Sequence, residues 1–219
     1  MFNTFLIVLK KDLKDNFLSN NAWFTISFFL LCLLVFPLSL ANSNYLALDI
    51  SISAIWISSL FANLIALDQM YKEDHNDGTL LYYVVNGVPL NVIVYAKCIS
   101  HWLFSGLPIV IISPLCSYIL SGNNNNSLYL FFGLLLGTPI FTLIGSPIAA
   151  LMLGSMVRGP ILTFITLPFY LPVIIFGVLG TGNIDNSINA EFYLLLAILS
   201  LGIMLFPLLT SKILKMVIN

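Results

Sequence analysis

Apolar positions along the 219-residue chain gather into six long runs, at about 22–41, 47–67, 98–121, 128–153, 160–180 and 191–211. A helix needs roughly 20 apolar residues to cross a hydrocarbon core, so each run has the length of one crossing. Ahead of them, Phe5, Leu6, Leu9, Leu13 and Phe17 keep close to helical spacing while Lys10, Lys11, Lys14 and Asp15 fall largely elsewhere on the wheel. That pattern predicts a helix over residues 3–18 that lies in the interface plane. Polar breaks at Gly122-Asn123-Asn124-Asn125-Asn126-Ser127 and over Thr181 to Asn189 separate the later runs. The pattern therefore predicts an all-α polytopic membrane protein with six transmembrane helices.

Composition agrees and narrows the function. Hydrophobic residues make up 59% of the chain and charged residues 8%, against roughly a quarter charged in a soluble domain. No charged residue occurs from Cys98 through Val157. Six spans in 219 residues leave no room for a large extramembrane catalytic domain, and a net charge of −1 gives no general attraction to nucleic acid. Lys10, Lys11 and Lys14 before the first run, with Ser39-Leu40-Ala41 after it, have the shape of a cleaved signal peptide. Five further apolar runs make a retained first helix the simpler reading.

The basic residues also set an orientation. Lys10, Lys11 and Lys14 precede span one, Lys72 and Lys97 fall between spans two and three, Arg158 between four and five, and Lys212 and Lys215 after six. For six spans these positions share one side. The other connections hold only Asp49, Asp185 and Glu191, so the positive-inside rule puts both termini in the cytoplasm. Pro37, Pro108, Pro114, Pro139, Pro147, Pro168, Pro172 and Pro207 lie inside spans, beside small residues such as Gly106, Gly137 and Gly145. Each proline frees a carbonyl that a neighbouring helix or a hydroxyl must satisfy, which implies kinked, closely packed helices.

Candidate chemistry is concentrated in the connection from Asp68 to Lys97. Four of the nine acidic residues, Asp68, Glu73, Asp74 and Asp77, sit there, followed by Gly78, Thr79 and a mostly apolar return to the membrane broken at Asn86-Gly87-Val88-Pro89. Such a segment suits docking into a groove on a soluble partner; a solvated connector is the other reading. His75 among these carboxylates reads as a solvated face rather than a metal site. His101, one turn after Lys97 and beside Trp102, is either a functional ionisable group at membrane depth or an interfacial anchor bonded between helices, and the second reading is favoured. Cys32, Cys98 and Cys116 form no CxxC and read as packing residues, so no metal site is expected. Phosphate-loop, HExxH and GxSxG motifs are missing, so no catalytic residue is expected and the chain cannot hydrolyse ATP alone. With no acidic residue well inside a span to couple an ion gradient, energy is expected from a partner ATPase.

Several strings carry a family resemblance: Ala66-Leu67-Asp68, Asp77-Gly78-Thr79-Leu80, Pro89, Ala96-Lys97, His101-Trp102, Gly106-Leu107-Pro108, Ser113-Pro114 and Leu136-Gly137-Thr138-Pro139. In order and spacing they resemble the haem exporter protein B family, the CcmB-type membrane subunit of the cytochrome c maturation ABC complex. The resemblance covers nearly the whole chain, and Lys97, His101-Trp102 and Gly106-Leu107-Pro108 are its most specific part. Where the family carries an acid after the Gly-Ser/Thr-Leu triplet, this chain has Leu81.

The resemblance implies a single ABC-2-like permease domain over 1–219, with an elbow helix at 1–20 and a cytoplasmic coupling segment at 68–97. Coupling falls to Asp68, Glu73, Asp74, Asp77, Gly78 and Thr79, and the motif residues within the membrane are Lys97, His101, Trp102, Gly106, Pro108, Pro114, Gly137 and Pro139. It also implies a CcmA-type ATPase that binds the ATP, the haem-handling CcmC and small CcmD proteins, the haem chaperone CcmE, and two membrane subunits per complex surrounded by lipid. Haem is then a handled or transported ligand rather than a firmly bound cofactor. The location implied is a bacterial inner membrane, with the mitochondrial inner membrane as the alternative. Two other readings stay open: an ABC-2 permease exporting a different hydrophobic molecule, and a non-transporting assembly scaffold. Trp23, Trp56 and Trp102 are the only tryptophans, so no outer loop carries a Trp-rich haem-presenting cluster.

Overall fold

The computed structural model describes residues 2–18, 21–39, 48–122, 126–153, 160–182 and 190–218. Within them the elements are α1 (Phe2–Leu18), α2 (Asn21–Ser39), α3 (Leu48–Gln69), α4 (Lys72–Asn76), α5 (Thr79–Val85), α6 (Leu90–His101), a π-helical segment (Trp102–Gly106), α7 (Leu107–Ser121), α8 (Ser127–Met152), α9 (Pro160–Gly182) and α10 (Ala190–Ile218). Among the described residues no strand occurs. Among the described residues, five stretches are long and apolar enough to cross a membrane: Ile50–Asn76, Leu90–Ser121, Ser127–Met152, Ile161–Gly182 and Ala190–Ile218. Trp23–Phe36 in α2 is a shorter apolar helix. The chain is thus an all-α, multi-pass membrane protein. Arg158, Asp185, Leu40, Ala41 and Asn123 to Asn125 lie outside the described residues.

One boundary differs from the expected one. The helix that carries the third span begins at Leu90 rather than at about 98, and with the π segment and α7 it continues for 32 residues, about 48 Å. A hydrocarbon core is only about 30 Å thick, so this helix is longer than a perpendicular crossing requires. Lys97, read from the sequence as a loop cation, is inside that helix and buried.

In lipid there is little hydrophobic gain in bringing two helices together, so contact depends on close packing and hydrogen bonds. The chain meets this constraint at α8, which touches α3, α7, α9 and α10. Every residue from Ile140 to Ala150 of α8 is buried. A helix covered on all sides belongs at the centre of a bundle, and its small residues let the neighbours approach. Gly137 lies under the Trp56 ring of α3: a Cβ there would sit 2.5 Å from two ring carbons, and Gly177 of α9 closes on the same ring. Trp56 is fully buried, meets Phe141 edge-on at 6.3 Å, and donates its indole N–H to Thr181 Oγ1 at 3.3 Å. By contrast Phe164, Ile175, Leu201 and Met204 stand outward on α9 and α10, as side chains facing lipid should.

A separate small core of Val8, Leu80, Tyr83, Ile93 and Ala96 gathers α1, α5 and α6, with Phe5 and Ile218 packed against it. The amphipathic helix, the segment after α3 and the last turn of α10 therefore share one end of the bundle. Gly78 (φ +71°) turns α4 into α5 in the left-handed region, where a side chain costs about 1–2 kcal/mol.

Substituting Gly137→Val should lower unfolding stability by about 1–3 kcal/mol through overpacking against Trp56. Thermal unfolding in detergent measures this, and adding Trp56→Leu to the same chain should recover part of the loss.

Candidate functional site: a buried charge cluster at one end of the bundle

Four charged side chains from three helices meet where α1, α4 and α6 converge. Lys97 Nζ of α6 lies 2.5 Å from Asp74 Oδ2 and 3.5 Å from Asp12 Oδ2. Lys11 Nζ of α1 lies 2.7 Å from the other Asp74 oxygen and 3.4 Å from Asp15. Asp74 therefore bridges two lysines, one from each flanking helix. Lys97 also donates to the Met70 carbonyl at 3.3 Å and stands 5.8 Å from the centre of the Tyr71 ring. Lys11, Lys97, Asp12 and Asp74 together carry no net charge, which is how charges that are removed from water become tolerable.

Local sequence places each group. Asp74 and Glu73 occupy the first turn of α4, where carboxylates complement the helix dipole. Lys97 and His101 are four apart on α6 and so share a face. On α1 the inward positions include Val8 and Asp12, so the buried face of this helix is not purely apolar. Burial is the largest influence on Asp12 and raises its pKa, with Lys97 opposing. Burial also works against the Lys11 ammonium, but bonding to Asp74 outweighs it and its pKa is raised.

The polar network continues into the bundle. His101 Nδ1 lies 3.3 Å from Thr142 Oγ1 on α8 and 3.2 Å from Ser105 Oγ, and the Trp102 indole donates to Thr138 Oγ1 at 3.0 Å. Thus His101 and Trp102 bond between helices, which is the favoured reading of the sequence. Nearby, Tyr71 and Ser146 hydroxyls meet at 2.7 Å, and Ser146 and Thr210 at 3.2 Å, joining α8 and α10 to the end of α3. A cavity of about 420 Å³ opens beside the cluster, lined by Asp12, Asp15, Glu73, Asp77, Lys97 and His101 among others. Carboxylates outnumber cations along its wall, so it repels anions.

The residues singled out from the sequence fall into three groups. Glu73, Asp77 and Gly78 are exposed, Thr79 half-buried, and Asp68 accepts from Lys72 with both oxygens at 2.6 Å. Asp74, expected on an exposed docking loop, is instead buried in the cluster, because two lysines hold it inward. His75 is exposed, as a solvated face would be. Gly106 accommodates Trp102, since a Cβ there would meet the indole at 2.6 Å, while Pro139 and Trp102 line an apolar groove of about 450 Å³ between α6, α8 and α10. Pro108 and Pro114 lie in α7 and Gly137 under Trp56. Among the described residues no set of three His, Cys, Asp or Glu is placed to hold a metal.

Lys11, Asp12, Thr138, Thr142 and the π segment were not anticipated from sequence. The π segment has a counterpart in the packing: Ile93, Lys97, His101, Ser105, Ile109, Ser113 and Ser117 are all buried and recur every fourth residue. In a regular α-helix that spacing drifts by about 40° per step, and the wider π turn takes up part of the drift.

Lys97→Met should cost about 3–5 kcal/mol in detergent unfolding, because Asp12 loses its cation and Asp74 keeps only Lys11. Because the folded-state pKa of Asp12 is raised, its contribution is most favourable at low pH and is lost as pH rises through that value. Wild-type stability relative to Asp12→Asn should therefore rise as pH falls from neutral into the carboxylate range. An opposite slope in paired unfolding curves would contradict the assigned burial.

Comparison with known proteins places this architecture. The CcmB protein family profile matches residues 3–216. Heme exporter protein B of Haemophilus influenzae is 30% identical over 210 residues, covering 93% of each chain. The Pseudomonas aeruginosa protein of that name is 36% identical over 162 residues, 74% of this chain and 71% of its own. The Escherichia coli one is 31% identical over 177 residues, 81% and 79%. From the amphipathic helix through the charge cluster to the end of α10, the chain belongs to the CcmB protein family.

Proposed function

We propose that this chain is the permease subunit of an ABC-type haem export complex that serves cytochrome c maturation, and that it is moved by a separate ATPase rather than by chemistry of its own. The observation that carries the reading is the α4–α5 pair. Its outward side presents Glu73, Asp77, Leu81, Tyr82 and Val85, while Asp74, Leu80 and Tyr83 anchor it to α1 and α6. A protruding element that is both acidic and apolar, fixed by a charge cluster, is built to receive force from a soluble partner and pass it to the bundle. Leu81 gives the docking face an apolar contact where the family carries an acid.

The topology is six crossings with α2 as the first and both termini in the cytoplasm. Packing of Phe5 and Ile218 on one small core supports an even number of crossings, and Lys10, Lys14, Lys72, Lys212 and Lys215 at that end support its cytoplasmic side. The membrane is a bacterial inner membrane, given the relatives. Two copies work with a CcmA-type ATPase and with CcmC-, CcmD- and CcmE-type proteins. Haem is the cargo of the complex, and the acidic cavity beside Asp12 does not suit its anionic propionates. This subunit therefore transmits work rather than storing haem.

Glu73→Lys with Asp77→Lys should weaken binding of the ATPase subunit on the order of tenfold or more, with little change in unfolding. Co-purification at graded salt measures it, and unchanged binding removes the docking assignment. Asp74 is unsuitable for this test because it is buried between Lys11 and Lys97, so its substitution would change stability as well as docking. Deletion of the gene should abolish c-type cytochromes while leaving other envelope functions intact; a broader envelope defect would favour export of a different molecule.

A further inference from the structure

A second cavity, of about 370 Å³, lies between the α5–α6 turn and the last turns of α10, with Gly87, Pro89, Asn91, Ser211, Lys212 and Lys215 in its wall. None of its lining residues is acidic. Lys11, Lys72 and Lys97 each have a carboxylate within ion-pair distance; among the described residues Lys10, Lys14, Lys212 and Lys215 have none, and Lys212 and Lys215 are the two that share this cavity. Like charges three residues apart on one helix face repel each other. Two uncompensated cations converging on one concavity call for an anion.

The surroundings say which kind. Leu205, Leu208, Lys212 and Lys215 follow helical spacing along one stripe of α10, and Leu205 and Leu208 are exposed. Cations directly beyond a lipid-facing apolar stripe sit at the depth of phospholipid headgroups. Basic pockets between membrane helices on the cytoplasmic side have the chemistry for anionic headgroups. The volume is at the small end of ligand cavities, roughly 300–1,000 Å³, and suits a headgroup rather than a larger molecule.

We propose that this cavity binds the phosphate of an anionic phospholipid, with Lys212 and Lys215 as its cationic partners and the acyl chains along Leu205 and Leu208. Because the opposite wall is the turn that ends α5, the lipid ties the coupling segment to α10 and makes the placing of that segment depend on the lipid. The proposal rests on the topology given above for which leaflet supplies the lipid, whereas binding itself is measured without the ATPase, so the two fail separately.

The test uses the full chain in detergent with added phosphatidylglycerol or phosphatidylcholine, read by native mass spectrometry and by the shift in unfolding temperature. Phosphatidylglycerol should be retained on the order of tenfold better, and Lys212→Gln and Lys215→Gln should each cost about fivefold. Lys10→Gln with Lys14→Gln, on the exposed side of α1, should leave retention unchanged. Equal retention of phosphatidylcholine, undiminished binding by the two α10 variants, or an equal loss from the α1 variant would overturn the site. Full competition by millimolar inorganic phosphate would also overturn it, since the ligand would then be a soluble anion.

Discussion

The ion pair of Lys97 and Asp74 holds one end of the bundle together. Each charge compensates the other in an enclosed place, and they meet only because α4 is folded back onto α6. Lys11 and Asp12 then join α1 to the same point. The result is a segment that looks loop-like in sequence yet is fastened at three sides. The small core around Leu80, Tyr83 and Ile93 fills the space next to it, so charge fixes the direction of α4 while packing fixes the depth of α5.

Beside this point, polar contacts continue into the membrane part. His101 follows Lys97 by one turn and meets Thr142, Trp102 meets Thr138, and both threonines belong to α8. Tyr71, directly before α4, reaches Ser146 of α8, which in turn touches Thr210 of α10. Hydrogen bonds of this kind are worth little each, commonly below about 2 kcal/mol in a bilayer, but they connect the exposed acidic helix to the central one. The glycine and alanine surface of α8 has a complementary part, because it lets α3 and α9 close upon it without the hydrophobic drive that water would supply.

Much of this was readable from the chain itself. The apolar runs mark the long helices, with prolines inside them, and the string from Asp68 to Thr79 marks the short polar helix that follows α3. Three things were not readable. Asp74 looks no different from Glu73 and Asp77 in sequence; what sets it apart is contact with Lys11, 63 positions away, and with Lys97. Lys97 resembled a topogenic loop residue because its neighbours 82–96 mix apolar and turn-forming residues, which blurs where the third long helix starts. The π segment was hidden because period-based reading assumes a constant turn, whereas here the buried positions recur every fourth residue.

The charge cluster also bears on how the protein is made. Lys11 and Asp12 emerge early, and their partners belong to α4 and α6, which follow only after two further helices. Until then α1 has an acid and a base on a face that has nothing to bury against. An amphipathic helix in that position rests at the membrane surface, waiting for the later part of the chain. Settling of the first helix is therefore a late event in biogenesis, and the N-terminus becomes part of the folded protein only after its third long helix has been inserted.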